Sequence, residues 1–189
     1  FTPVCQGGLV SVIRIQTPIT EEIAASLRVP DMVLLSGTIY TARDRAHKRI
    51  IEMAEQGEPL PLDPKGQVIY YAGPSPTPPG KPVGAVGPTT SYRMDPFTEG
   101  MLALGFRAFI GKGKRSSEVR QSLASYRGVY FSTFGGAAAY LSKRVVSSSV
   151  IAFEEFGPEA IYRFEVKDFP VIVTNDMYGG DLYESALQQ

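Results

Sequence analysis

Short β-branched runs alternate with helical-period segments along this 189-residue chain, and glycine punctuates the ends of the runs. That alternation confines the fold to helices layered on a sheet, since each strand hands over to a helix that covers its apolar face. The patterning predicts a strand at Leu9 to Ile15, a short helix from Thr20 to Leu27 with acidic residues at its positive end, and a strand at Val33 to Tyr40 broken at Ser36-Gly37. A helix follows at Thr41 to Gln56, where Ala42, Ala46, Ile50, Met53 and Ala54 recur at helical spacing. Gln67 to Ala72 reads as the next strand, and the Pro-rich stretch 73–82 forbids regular structure. Beyond it come a short strand Val83 to Val86 and a helix Phe97 to Leu104, with Asp95 as its N-cap and Pro96 at its first position. Then follow a strand Phe106 to Ile110, a helix Ser116 to Tyr126, a strand Val129 to Ser132, a helix Ala137 to Arg144, and strands Val145 to Phe156, Ile161 to Val166 and Val171 to Thr174. The expected fold is α/β, a single mixed domain.

Composition removes several classes of function. Nineteen basic residues against nineteen acidic ones leave no net field, so nucleic-acid and membrane-surface roles have no electrostatic support. No apolar run reaches the roughly 18 residues of a membrane span, and Phe1 to Gly8 lacks the regions of a secretory leader, so a cytoplasmic location is expected. One cysteine and one histidine cannot form a disulfide, a Cys/His zinc site or a four-Cys iron–sulfur site, so no metal is assigned to this chain's own residues. Cys5 sits in an irregular start, and residues 1–12 are taken as an extension foreign to the domain that occupies 13–189.

Three glycine-marked strand ends collect the chemistry: Ser36 to Arg43, Gly87 to Arg93, and Gly111 to Lys114. Ligands of α/β folds sit where strands end and helices begin. If those loops converge, Arg43, Arg93 and Lys112 supply three cations and Thr89 and Thr90 two hydroxyls, an inventory that suits a small dicarboxylate. Each contact sheltered from bulk water would contribute on the order of 1.5–3 kcal/mol. The plainer alternative is a capped turn whose hydroxyls satisfy local amides, flanked by solvated charges. A nucleotide loop does not fit: five residues, not four, separate Gly105 from Gly111, and Gly113 follows the lysine where Ser or Thr is required. No Gly-x-Gly-x-x-Gly follows a strand, and no serine occupies a Gly-x-Ser-x-Gly elbow. His47, four residues after Arg43 and on the same helix face, suits an orienting or capping group better than a general base. With Asp44 it is a supporting candidate.

Two long motifs carry a family likeness. Leu35-Ser36-Gly37-Thr38-Ile39-Tyr40-Thr41-Ala42-Arg43-Asp44-Arg45-Ala46-His47-Lys48-Arg49 and Gly87-Pro88-Thr89-Thr90-Ser91-Tyr92-Arg93-Met94-Asp95 resemble the β subunit, or C-terminal domain, of class I fumarate hydratases. The likeness runs through Ile69 to Pro74, Gly111 to Gly113, Gly135 to Ala138 and Phe169 to Asp176, and departs at Phe1 to Gly8 and at Asn175 to Gly179. The L-tartrate dehydratase β subunit is a close relative, and the Thr-Ala-Arg-Asp and Ala-His-Lys-Arg wording is more similar to the fumarase branch. The resemblance implies a swivelling β/β/α domain and reversible hydration of fumarate to L-malate. It also implies a 4Fe-4S cluster supplied by a partner α subunit, none being bound by this chain alone. Carried over position by position, the substrate-binding groups fall on Arg43, Thr89, Thr90, Arg93 and Lys112, with proton transfer at Thr89. The expected assembly is a heterotetramer or a homodimer of β chains, inactive without the α subunit. A non-catalytic dicarboxylate-binding module is the competing class.

Overall fold

Seven apolar runs become the strands of one sheet, most of which closes on itself. The computed structural model describes residues 12–187; residues 1–11 of the proposed N-terminal extension, and with them the first residues of the predicted Leu9 to Ile15 strand, lie outside them, while Val12 opens the first strand. Strands β1 (Val12–Gln16), β2 (Met32–Thr41), β3 (Val68–Tyr70), β4 (Ala108–Gly111) and β5 (Val129–Ser132) pair in parallel in that order. Helices α1 (Glu21–Ser26), α2 (Asp44–Glu55), α3 (Asp95–Leu104) and α4 (Ser117–Ser125) alternate with them. After α5 (Ala138–Ser142) the chain reverses through β6 (Val145–Ala152) and β7 (Ile161–Asn175), and α6 (Leu182–Ala186) follows. Strand β7 runs antiparallel between β2 and β5 and bonds to both, closing β2-β3-β4-β5-β7 into a barrel-like ring, with β6 outside it on the first half of β7.

Period-2 alternation divides the buried side chains between two cores. Tyr70, Ile110, Phe131, Phe164 and Phe169 fill one, while Ile69, Phe109 and Tyr130 meet Ala46, Ile50, Met101 and Leu123 of the helices in the other. Burial on both faces is why β3, β4 and β5 are continuous apolar runs rather than half-polar ones. The break expected at Ser36-Gly37 is a register shift between Leu35 and Gly37, where Gly37 adopts a φ of 105°.

Several boundaries differ from the patterning, each for a tertiary reason. Val83 to Val86 is not a strand; Val83 and Val86 are buried in a loop, and the Val86 carbonyl accepts from the Tyr70 hydroxyl at 3.2 Å. Helix α2 begins at Asp44 rather than Thr41 because the Ala42 amide still bonds to Tyr70 of β3. The two expected strands Ile161 to Val166 and Val171 to Thr174 are one, β7, passing through Asp168 at a φ of 49°. β6 stops at Ala152 because Phe153 turns left-handed, with a φ of 57°. Among the described residues no helix is long and apolar enough to cross a membrane.

Candidate functional site

The carboxyl ends of β2, β3 and β4 share one edge of the ring, and the three glycine-marked loops meet there. Having returned from the Pro-rich excursion, Thr89 donates its amide to the Tyr71 carbonyl just beyond β3, at 2.6 Å. Thr90 forms a parallel bridge with Lys112, the residue after β4. Ser91 then holds Lys112 from both sides: its amide donates to the Lys112 carbonyl at 2.9 Å, and its Oγ accepts from the Lys112 amide at 3.1 Å. The threonine pair and the lysine are therefore tied backbone to backbone, with both threonines half-buried and Lys112 exposed. The lysine stem runs beside the turn after β5, since a Cβ on Gly135 would lie 3.8 Å from its Cδ. Gly111 must be glycine, because a Cβ there would overlap Ser91 Oγ and lie 2.8 Å from the Tyr71 ring.

A buried polar network supports this junction. Tyr130 donates its hydroxyl to the Gly113 carbonyl at 3.0 Å, and the Ser91 hydroxyl lies 2.7 Å from the same phenol oxygen. Arg115, buried to 5% exposure, stacks its guanidinium 4.8 Å from the Tyr130 ring centre and donates through Nε to Asp95 at 2.7 Å. Asp95 also accepts from the Ser116 amide at 2.9 Å. The expectation that Asp95 caps α3 is thus corrected: helix α3 starts at Asp95 after the 3-10 turn Ser91–Met94, without a side-chain cap, because its carboxylate is engaged by Arg115 and Ser116. Tyr130 and Arg115 escaped the sequence analysis, and Ser91 was named there only as part of its motif, without its hold on Lys112. Tyr130 is indistinguishable there from its apolar strand neighbours, and no spacing rule links Arg115 to Asp95 twenty positions away.

Arg93 joins the second loop to the first. Its Nε and Nη2 both donate to Oδ2 of Asp44, at 3.1 and 2.7 Å, which fastens the turn to the first residue of α2. Arg43, in the N-cap position of α2, is extended, and its Nε lies 3.9 Å from Oε1 of Glu159. Its guanidinium also borders Gly73, where a Cβ would come within 3.2 Å of Nη1. Thr90 is thus bridged to Lys112 and Arg93 bonded to Asp44, with Thr89 and Arg43 their chain neighbours.

His47 is enclosed rather than open to ligand. The imidazole packs edge-on against Tyr71, with centroids 5.4 Å apart, and tilts against Phe97 at 6.0 Å. Its Nδ1 lies 2.8 Å from the Arg43 carbonyl, an oxygen that can only accept, so Nδ1 carries the proton of a neutral ring. Burial, opposed by that hydrogen bond and reinforced by the Arg115 charge, lowers its pKa to about 4. His47 holds the backbone at the root of Arg43.

Arg93 and Lys112 are exposed on this edge of the ring. Clefts of ≈ 520 and ≈ 470 Å³ lie elsewhere, one beside Ile19, Lys65 and Arg107 and the other beside Lys81, Val83 and Lys143, while a smaller one of ≈ 240 Å³ is lined by Pro74, Pro76, Pro158 and Tyr162 on the Glu159 side of Arg43. What the surface offers is two threonines and three cations, two of which already face carboxylates, Arg93 that of Asp44 and Arg43 that of Glu159.

Residues 6–186 match the family described as Fumarase C-terminus. Fumarate hydratase 2 of Leishmania major is 41% identical over 157 residues, covering 82% of this chain and 28% of that protein. The anaerobic class I fumarate hydratase of Escherichia coli K12 is 36% identical over 174 residues, covering 89% of this chain and 32% of its own length. This chain thus spans about a third or less of the fumarate hydratases it matches. The putative L(+)-tartrate dehydratase subunit beta of Methanocaldococcus jannaschii is 39% identical over 176 residues, with 88% of each chain covered. On a match running almost from end to end, this chain belongs to the Fumarase C-terminus family.

Proposed function

We propose that this chain is the β half of a class I hydro-lyase and binds a dicarboxylate for the reversible hydration of fumarate to L-malate, in the cytoplasm, with a cluster-bearing α chain. The observation that carries this reading is the junction of Thr89-Thr90, Lys112, Arg93 and Asp44 on one open edge, with Arg43 next to it. Arg93 and Arg43 suit the substrate carboxylates because a guanidinium binds a carboxylate through two parallel hydrogen bonds. Lys112, a point charge on a loop clamped by Ser91, suits the negative charge that grows on a carboxylate as the neighbouring carbon loses its proton. Thr89 Oγ1 is assigned as proton carrier. An isolated threonine hydroxyl is a weak base, so this part depends on the adjacent cations and on groups across the interface.

The 4Fe-4S cluster would act as the Lewis acid on the substrate. This chain's residues do not fit a ligand set for it: there is a single cysteine, and among the described residues no three His, Cys, Asp or Glu side chains converge. We therefore assign the cluster to the α chain. The open surface agrees with a pocket whose far wall is contributed by that chain. Domain limits of 13–189, with 1–12 as an extension, complete the proposal; the family match itself begins at residue 6 and β1 at Val12.

The L-tartrate reading keeps its place because the relative named as a tartrate dehydratase β subunit is matched over nearly its whole length. The test is anaerobic reconstitution with an α chain, followed by fumarate absorbance with malate, fumarate and tartrate as substrates. Activity is expected from the pair and not from this chain alone. A reconstituted pair inactive on all three substrates would end the enzymatic reading.

A further inference from the structure

The connection between β6 and β7, residues 153–160, is fastened to the first motif through Thr41, Arg43 and Arg45. Thr41 Oγ1, at the end of β2, accepts from the Tyr162 amide at 3.1 Å, where the connection enters β7. Arg45 lays its guanidinium 4.0 Å from the ring centre of Phe156. Between them Arg43 turns its Nε toward Oε1 of Glu159, at 3.9 Å. The opposite side is closed by Gly73, where a Cβ would come within 2.7 Å of the Pro158 carbonyl oxygen and 3.2 Å of Arg43 Nη1. Glu154 and Glu155 of the same connection are exposed to solvent, whereas Glu159 is turned inward, with 22% of its side chain exposed against 26% for Arg43. A carboxylate gives up solvent at a cost, and here it does so beside a cation. Arg43 Nε is itself buried and has no hydrogen-bond partner among the described residues. Nearly all buried polar groups are bonded, and the acceptor facing this one is the Glu159 carboxylate, about 1 Å beyond bonding range.

We infer that Glu159 is a positioning residue for Arg43, holding the guanidinium from its Nε side and leaving the two terminal nitrogens to grip a substrate carboxylate. The planar fork allows this division, because its outer edge keeps a pair of parallel donors when Nε is engaged. A carboxylate that competed with substrate would take that outer edge through two short bonds, but Glu159 makes its closest approach at Nε. The assignment rests on the proposed function for what Arg43 binds, and adds to it a residue that neither motif contains. Thr41 and Arg45, by pinning the connection on either side of Glu159, fix where its carboxylate stands.

A double-mutant cycle in the reconstituted pair tests it. Glu159→Gln keeps the size of the side chain and removes its charge. It is expected to raise KM roughly 10-fold while kcat changes less than about twofold, the mark of lost binding that ground and transition states share. In an Arg43→Ala background the same substitution is expected to change KM less than about twofold, since the group it positions is gone. A merely structural Glu159 would give the same effect in both backgrounds, and that result overturns the inference. So does an unchanged KM, or a fall in KM, which would make the carboxylate a competitor of the substrate. An unmutated pair inactive on fumarate, malate and tartrate would end the proposed function, yet the contact is still read in this chain alone. Arginine-selective nitrogen NMR gives an Arg43 Nε–H signal, identified by its absence in Arg43→Lys. That proton is expected to be protected from solvent exchange, and to lose its protection in Glu159→Gln while the circular dichroism stays unchanged. Equal exchange in both chains overturns the inference whatever the activity.

Discussion

His47 is the chain's single histidine, which makes the acid limb of its stability separable from other titrations. In the folded chain the ring is buried and neutral, with a pKa of about 4, while in the unfolded chain it returns to the ordinary 6.5. Between those values the unfolded state binds a proton that the folded state refuses, so stability is complete above pH 6.5 and falls as the pH drops toward 4. The gap corresponds to about 3 kcal/mol in all, of which about 2 kcal/mol is lost by pH 5. His47→Asn is the matched perturbation, because its amide can still donate to the Arg43 carbonyl as Nδ1 does, yet does not titrate. Urea unfolding of both proteins at pH 7.5, 6.5, 5.5 and 5.0 is the assay, with the difference in slope assigned to His47. The wild type is expected to lose about 2 kcal/mol relative to His47→Asn across that interval. Parallel stability curves, or an imidazole NMR titration with a midpoint near 6.5, would refute the buried neutral ring and its hold on Arg43.

Arg93→Ala is expected mainly to raise KM in the reconstituted enzyme, and Thr89→Ala mainly to lower kcat; near-equal effects on both parameters from either variant would contradict that division. Arg115→Met leaves the Asp95 carboxylate largely buried without its ion pair, so urea unfolding should show a loss of ~3–5 kcal/mol, and a loss under about 1 kcal/mol would mean that water takes the place of the guanidinium. Gly111→Ala drives a methyl into Ser91 Oγ and the Tyr71 ring, with an expected cost of ~1–3 kcal/mol in thermal or urea melts and a fall in kcat/KM as Lys112 shifts against Thr90. Unchanged kinetics in Gly111→Ala would show that the register of the Lys112 loop does not matter to turnover.

Much of the chain's local structure is legible in its residues, since it depends on near neighbours. The bounds of β5 are those of the Val129 to Ser132 apolar run, Thr20 and Ser116 cap the helices they precede, and the break at Ser36-Gly37 is a bulge. The motif residues could likewise be named beforehand, because their types and order are the signal. Tertiary structure decided what depends on partners distant in sequence. β7 closes the ring by pairing with β2 and β5, a ladder that no periodicity encodes, and those strands join what looked like two shorter ones into a single one. Val83 and Val86, strand-like in composition, find no such ladder and fill the core from a loop. Asp95, a good local cap, is engaged by Arg115 because a buried guanidinium needs a carboxylate more than a helix end needs a cap. Sequence supplied the hydroxyls and cations of the candidate site. The Thr90–Lys112 bridge and the Arg93–Asp44 bond set them on one surface, because a hydrogen bond forms between groups close in space, however far apart they stand along the chain.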